Sequence, residues 1–351
     1  MDYIEISGYK SIEHEKIDLK PINLLIGANG SGKSNFVSFF DFLNRLINRN
    51  LNEYIALLGG VNKILHKGQK VTDSISFKLE FADGQNGYSA KLQQGTESLV
   101  FVDERLIYKG NDRTLISNNY NEANIAQSDN FNIIKCLKGF KKYHLHDTSP
   151  KSPFTLLSHV ENDIHFLYSD GANLAAFLYE IKDKYIIVYN RILKTIQSIA
   201  PYFLDFELVP NENFYIRLQW KDKYSESIYG ATDLSDGTLR FVALTTLLLQ
   251  PNLPDTIIID EPELGLHPSA IAKLAGMIKS VSAKGSQVIV ATQSTDLISH
   301  FSPEDIITVD QIDGCSKFKR LCADELQEWL EDYTLDDLWR RNIIAAGQPN
   351  Y

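Results

Sequence analysis

Residues 27–34 read Gly27-Ala28-Asn29-Gly30-Ser31-Gly32-Lys33-Ser34, a GxxxxGK[ST] phosphate loop. Its glycines let successive backbone N–H groups turn inward onto phosphate oxygens. Lys33 has the reach for β- and γ-phosphates, and the Ser34 hydroxyl can ligate Mg²⁺. The candidate nucleotide-binding residues here are Gly27, Asn29, Gly30, Ser31, Gly32, Lys33, Ser34 and Asn35. Far downstream, the run Thr256-Ile257-Ile258-Ile259 ends in Asp260-Glu261. Asp260 can hold Mg²⁺ through its water shell, and Glu261 can polarise an attacking water. Two acids after a strand would on their own read as a solvated turn. Paired with a phosphate loop, they read as the metal-handling and water-handling groups of phosphoryl transfer.

These residues need particular elements to position them. Ile22 to Ile26 is an apolar run and 35–40 opens a helix, so the loop has strand and helix on its two sides. The helix N-terminus adds a positive dipole end. The β-branched run between Pro254 and Pro262 reads as a buried parallel strand. Its carboxyl end is where an open α/β sheet places ligands. Residues 2–26 read as a hairpin turning around Gly8, followed by the strand into the loop, and 34–48 as a helix. Residues 70–108 alternate as antiparallel strands, with turn chemistry at Ala82-Asp83-Gly84 and Asn86-Gly87. The polar stretch 109–132 reads as a surface loop, 160–200 as helical, and 203–229 as strands with 214–220 alternating. Residues 323–341 form an amphipathic tail with Leu326, Trp329 and Leu330 on one face. Thr334 to Asp337 resembles a capping box.

A third element sets the class. Leu234-Ser235-Asp236-Gly237-Thr238 precedes a strongly apolar segment. Here the chain resembles the ABC ATPases, above all their RecF/SMC-type branch, whose signature motif is LSxG followed by a small polar residue. Val288 to Ser294 resembles the strand and switch that follow the acidic strand in that family, and 261–268 resembles the tail of OLD-type ATPases. The order of motifs matches, and the resemblance covers most of the chain. It implies an α/β ABC-type ATPase head: a phosphate-loop core sheet, flanking antiparallel strands and a helical lobe in one domain, 1–351. Its approximate parts are 1–150, 151–250 with the signature, 251–322, and a tail 323–351. It implies ATP and Mg²⁺, with Ser34 and Asp260 on the metal and Lys33, Glu261 and Gln293 in catalysis. It also implies a homodimer in which Ser235 and the Gly237 N–H of one copy cap the nucleotide of the other. The switch residue of the family is usually His; Gln293 keeps a donor but carries no positive charge. No glutamine marks the family's joint between core and helical lobe, where Tyr143 to Ser149 stands, including His144 and His146. These histidines read as strand-face residues, nucleotide sensors or metal ligands. Gly8-Tyr9-Lys10-Ser11 resembles the first turn of RecF/SMC heads, where a basic residue lies near the nucleotide; Lys10 reads first as a plain surface lysine and second as that residue.

Composition narrows the partners. The net charge of −10 excludes nucleic-acid binding by bulk charge, so DNA contact would need a local patch, Lys135 to His144 or Arg340-Arg341. No run approaches the ~20 apolar residues that span a bilayer, no signal peptide is evident, and the expected location is the cytoplasm. Cys136, Cys315 and Cys322 are odd in number and scattered, and Cys315 and Cys322 are too isolated from histidines in sequence to suggest zinc; all three read as packing residues of a reducing compartment. Three functions stay open. The first is an ATP-driven switch in anti-phage defence, working with a separate effector such as a Toprim-type nuclease, for which the chain after Asp260 is too short. The second is a RecF-like repair clamp binding DNA itself, and the third a transporter subunit. The ~200 residues between phosphate loop and signature weigh against the third.

Overall fold

Strict alternation, as in Ser74-Ile75-Ser76-Phe77-Lys78-Leu79-Glu80-Phe81, puts every second side chain on one face of a pleated strand. The computed structural model describes residues 1–95, 98–116, 120–125 and 131–344. They fall into two compact units, 1–140 with 289–351, and 141–288.

In the first unit the elements are β1 (Tyr3–Tyr9), β2 (Ile12–Asp18), β3 (Ile22–Ile26), α1 (Lys33–Ile47), β4 (Ser74–Phe81), β5 (Asn86–Gln94), β6 (Leu99–Tyr108) and β7 (Asn111–Ile116). Six of them form an antiparallel sheet in the order β2-β1-β4-β5-β6-β7. Three expectations need correction. The first hairpin reverses at Lys10-Ser11, not Gly8, with Tyr9 opposite Ile12. Asn86-Gly87 lies inside β5, because the chain has already turned through Ala82, Asp83 and Gly84, all at positive φ. The stretch 109–132 is not one loop. Lys109 and Gly110, at φ of 50° and 76°, make a tight turn that returns the chain as edge strand β7. A helix, Phe131–Lys138, follows. Residues 117–119 and 126–130 lie outside the described part.

β3 is buried along its whole length, as a strand covered on both faces should be. It pairs in parallel with the strand Ile306–Ile312, Leu25 opposite Ile307. Its other neighbour is the strand Gln287–Thr292, which lies in this unit from Ile289 on. α1 presents Phe36, Phe39, Phe40 and Phe42, all fully buried. Phe39 meets Tyr9 at 5.0 Å and Phe77 at 5.5 Å between ring centroids, and Phe40 meets Phe140 at 5.4 Å. These edge-to-face contacts fix the helix, and so its N-terminus, against the antiparallel sheet. The tail docks through Leu326, Leu335 and Leu338, while Trp329 stays exposed. Thr334 does not cap a backbone N–H; its hydroxyl bonds the Asp336 and Asp337 carboxylates instead.

In the second unit the helices Leu174–Lys184 and Ile186–Gln197 follow the expected helical stretch. The run 214–220 is two strands, because its halves find different partners. Tyr215–Ile216 pairs with Ser158–His159, and Gln219–Asp222 pairs with Phe203–Phe206. Trp220 stacks on Phe203 and Tyr229 at the centre of the second sheet. The signature helix, Asp236–Leu249, is buried from Leu239 onward, the mark of a core helix. The strand Thr256–Asp260 neighbours the strand Phe140–Tyr143. No helix among the described residues is long and apolar enough to cross a membrane.

Candidate functional site

Each unit carries one cluster. In the first, β3 delivers the phosphate loop at the start of α1. Gly32 stands at the helix N-cap with φ of 112°, a conformation open to glycine and strained for other residues. A Cβ there would run into Ser316 Oγ, and a Cβ on Gly27 into the Val309 carbonyl. Gly30, at φ of 81°, faces open space. Lys33 is buried, and its Nζ donates to the carbonyls of Gly27 at 2.6 Å and Ala28 at 3.0 Å. The ammonium is thus held over the loop. Ser34 is exposed, Asn35 Nδ2 donates to Ser11 Oγ, and Ser31 Oγ is buried with no hydrogen-bond partner among the described residues. Outer supports that sequence reasoning missed are Ser11 and Ser316. Ser316 Oγ donates to Ser31 O at 2.6 Å and bonds Ser11 Oγ at 2.7 Å. Nothing in the sequence marks Ser316, which acts across more than 280 positions; Ser11 lies in the Gly8-Tyr9-Lys10-Ser11 turn but carried no role there.

Gln293 is exposed, just past the strand Gln287–Thr292, and Ser294 behind it caps the short helix Thr295–Ile298. Lys10, half-buried at positive φ, donates to Ser38 Oγ of α1. Of the basic candidates in this unit, Lys135, Lys138, Arg340 and Arg341 are all exposed; Arg340 also bonds Thr295 Oγ1 near Asp296, and Arg341 lies over the Tyr333 ring.

The second cluster is built from charged side chains. Burial, then the charge of Glu261, pushes the Asp260 carboxyl above its usual range, against opposition from Lys142, His146 and His144. Glu261 stands at φ of 42°, in the left-handed region, a strain of about 1 kcal/mol for a residue with a Cβ. Burial, then the Arg240 charge, holds the His146 imidazole below its usual range, so it is neutral at pH 7. His146 Nδ1 finds no hydrogen-bond partner among the described residues. His144 and His146 are not on a strand, which ends at Tyr143.

Arg240 organises this cluster. Its guanidinium donates to the carbonyls of Leu145 at 3.2 Å, His146 at 2.7 Å, and Leu264. One cation therefore clamps the histidine segment and the turn after Glu261 to the signature helix. Gly237, one turn earlier, approaches so closely that a Cβ would collide with the Gly265 carbonyl. Ser235 Oγ caps the helix by accepting from Thr238 N at 3.3 Å, and both Ser235 and Asp236 are exposed. The only sequence signal for Arg240 was its place directly behind the signature. Lys142, noted before only as part of a basic patch, is half-buried and acts on Asp260 and His146.

A family profile described as "AAA domain, putative AbiEii toxin, Type IV TA system" matches residues 22–299. The chain is 33% identical over 70 residues to a Streptomyces coelicolor protein named as a "Putative ABC transporter ATP-binding protein". It is 29% identical over 77 residues to the energy-coupling factor transporter ATP-binding protein EcfA of Methanocaldococcus jannaschii. The matched stretches span only 12% and 27% of those relatives. Its fold is similar to that of an SMC head solved with the C-terminal winged-helix domain of ScpA. That match has a TM-score of 0.59 at 16% identity, covering 93% of this chain and 99% of the other. A Pyrococcus furiosus SMC head with an extended coiled coil gives 0.55 at 15% identity, over 94% and 98%. With the phosphate loop, the signature helix and the acidic strand all inside the matched span, the chain belongs to this AAA-domain family and is a nucleotide-binding P-loop ATPase with the ABC-type fold of SMC heads.

Proposed function

We propose that the chain is a Mg²⁺-dependent ATP-hydrolysing head that pairs with a second copy around two nucleotides. The single observation that carries this reading is the signature helix. Its body is buried while Ser235 and Asp236 at its N-terminus are exposed, an anion-binding end turned outward. In this reading Gly27, Asn29, Gly30, Ser31, Gly32, Ser34 and Asn35 cradle the phosphates, and the Lys33 ammonium exchanges loop carbonyls for phosphate oxygens. Ser235 and the Gly237 N–H cap the nucleotide of the partner copy. Glu261 orients and polarises water, and Gln293 donates to the γ-phosphate.

The donor set fits Mg²⁺: all-oxygen, with the exposed Ser34 hydroxyl and a half-buried Asp260 whose ionised form is disfavoured until a cation compensates it. Ser34 and Asp260 would hold it, and its chemistry there is to neutralise charge on the phosphate oxygens. What joins the two clusters in this reading is the order of the motifs and the family.

The family description, with its AbiEii toxin and type IV toxin–antitoxin system, supports a defence role over DNA repair by this chain alone. The proposed setting is cytoplasmic and anti-phage, with a separate effector such as a Toprim-type nuclease.

The test is the solution mass of Glu261→Gln with and without ATP–Mg²⁺, with linear DNA in a parallel sample. The expected result is a nucleotide-dependent dimer, lost on Ser235→Arg, that leaves DNA behind. A mass indifferent to ATP would overturn the paired-head reading. Co-migration with DNA would turn the proposal toward a repair clamp.

A further inference from the structure

Three side chains remote in sequence meet in the first unit. They are Glu13 of β2, His66, and Cys315 at the start of the strand Cys315–Arg320. Cys315 Sγ lies 3.4 Å from Glu13 Oε2 and 3.7 Å from His66 Nε2, and all three ligand atoms fall within 4.8 Å of one another. Cys315 and His66 are 5% and 2% exposed, whereas Glu13 is open to solvent. Cys315 is buried, as a packing residue would be, but its thiol also has polar neighbours. The fold brings it to a histidine 249 positions away, a separation that sequence spacing could not reveal.

The histidine is oriented as a ligand would be. His66 Nδ1 lies 2.7 Å from the Lys10 carbonyl, which can only accept, so Nδ1 carries the proton and Nε2 turns its lone pair toward the thiol. The scaffold is fixed on both sides. His66 N donates to Gly8 O at 2.9 Å, and the next residue, Lys67, donates from Nζ to Asp313 O at 2.9 Å in the turn that delivers Cys315. The spacing fits on the two edges at sulfur, and the exposed Glu13 carboxylate lies within 4.8 Å of the histidine nitrogen. Zn–S of about 2.3 Å and Zn–N or Zn–O of about 2.0–2.1 Å at tetrahedral angles require S···N and S···O edges of about 3.5 Å.

We propose that Glu13, His66 and Cys315 form a binding site for a zinc-class divalent cation, with three protein ligands and a fourth position open to solvent beside Glu13. Thiolate and imidazole select zinc over magnesium or calcium, so the site is chemically separate from the Mg²⁺ donors. Binding converts the Cys315 thiol to thiolate, its proton passing to solvent, and affinity therefore rises with pH. Occupancy ties β2 and the His66 segment to the strand whose next residue, Ser316, supports the phosphate loop.

The test uses the reduced full chain, stripped by chelator and titrated with Co²⁺ and then Zn²⁺. The expected result is one Co²⁺ bound with a thiolate-to-cobalt charge-transfer band in the near ultraviolet, bleached by stoichiometric Zn²⁺. Cys315→Ser abolishes the band, the double variant Cys136→Ser/Cys322→Ser keeps it, and Glu13→Gln weakens Co²⁺ binding at least about tenfold. Absence of the band, or its survival in Cys315→Ser, overturns the proposal. Should Cys315→Ser fail to fold, Glu13→Gln decides, because an unchanged Co²⁺ affinity in this exposed-rim variant also overturns it.

Discussion

The two clusters are made in opposite ways. The phosphate loop is a backbone device: three glycines, a helix start, a buried lysine returned onto its own carbonyls, and serines that hold the loop from behind. The cluster after the acidic strand is a side-chain device. Half-buried acids, a neutral histidine and a lysine are gathered by one arginine that spends its donors on three carbonyls. The first cluster keeps its shape through steric limits on backbone. The second keeps it through charge taken partly out of water, which raises the cost of losing any member.

The sharpest way to separate the two is turnover. Lys33→Ala is expected to lose nucleotide binding itself, read by calorimetry or fluorescent-ATP titration. Glu261→Gln is expected to bind ATP normally and lose about 10²–10⁴-fold in turnover. Equal binding defects in both would erase the distinction.

Next in size is Arg240→Ala, which strips the clamp from three carbonyls. A loss of about 3 kcal/mol or more is expected in chemical denaturation, with little rescue from Arg240→Lys, whose point charge cannot reach all three. The matching change at the other cluster, Ser316→Ala, removes only neutral hydrogen bonds and should cost about 1 kcal/mol. If the two costs came out alike, the contrast between charged and backbone construction would fail.

Gly237→Ala tests whether the side-chain cluster also depends on close backbone approach. The collision with Gly265 O should destabilise by about 1–3 kcal/mol, measured by thermal melts.

The smallest effect concerns charge alone. The Asp260 carboxyl is raised above its ordinary 3.8 in the folded state, chiefly by burial and then by Glu261. Its contribution to stability is therefore present below that ordinary value and is lost as pH rises through the folded one. Asp260→Asn should accordingly raise the melting temperature of the nucleotide-free protein at pH 7, and leave it unchanged at pH 3. A rise of equal size at both pH values would mean that packing, not ionisation, explains it.

How much of this was legible beforehand depends on how local the cause is. The phosphate loop, α1 and the acidic strand were read to within a residue or two, because loop geometry and burial periodicity are written in consecutive positions; the signature helix begins at Asp236, inside the motif and ahead of the apolar segment that marked it. β7 was hidden because an edge strand with one solvated face needs little apolar sequence, and the turn at Lys109-Gly110 was the only local sign of it. The split of 214–220 was hidden because strand partners are chosen at long range.

The amino-acid sequence alone determined which groups stand where: a glycine-rich loop ending in Lys33-Ser34, two acids closing an apolar strand, and a serine before a buried helix. Tertiary structure decided the environment of those groups. It set the ionisation of Asp260 and His146, the clamp made by Arg240 across some 95 positions, the serine support behind Gly32, and the meeting of Cys315 with His66 and Glu13. The physical reason is that residue types and local spacing fix which bonds a group can make. Burial and long-range packing fix how strongly the group needs them.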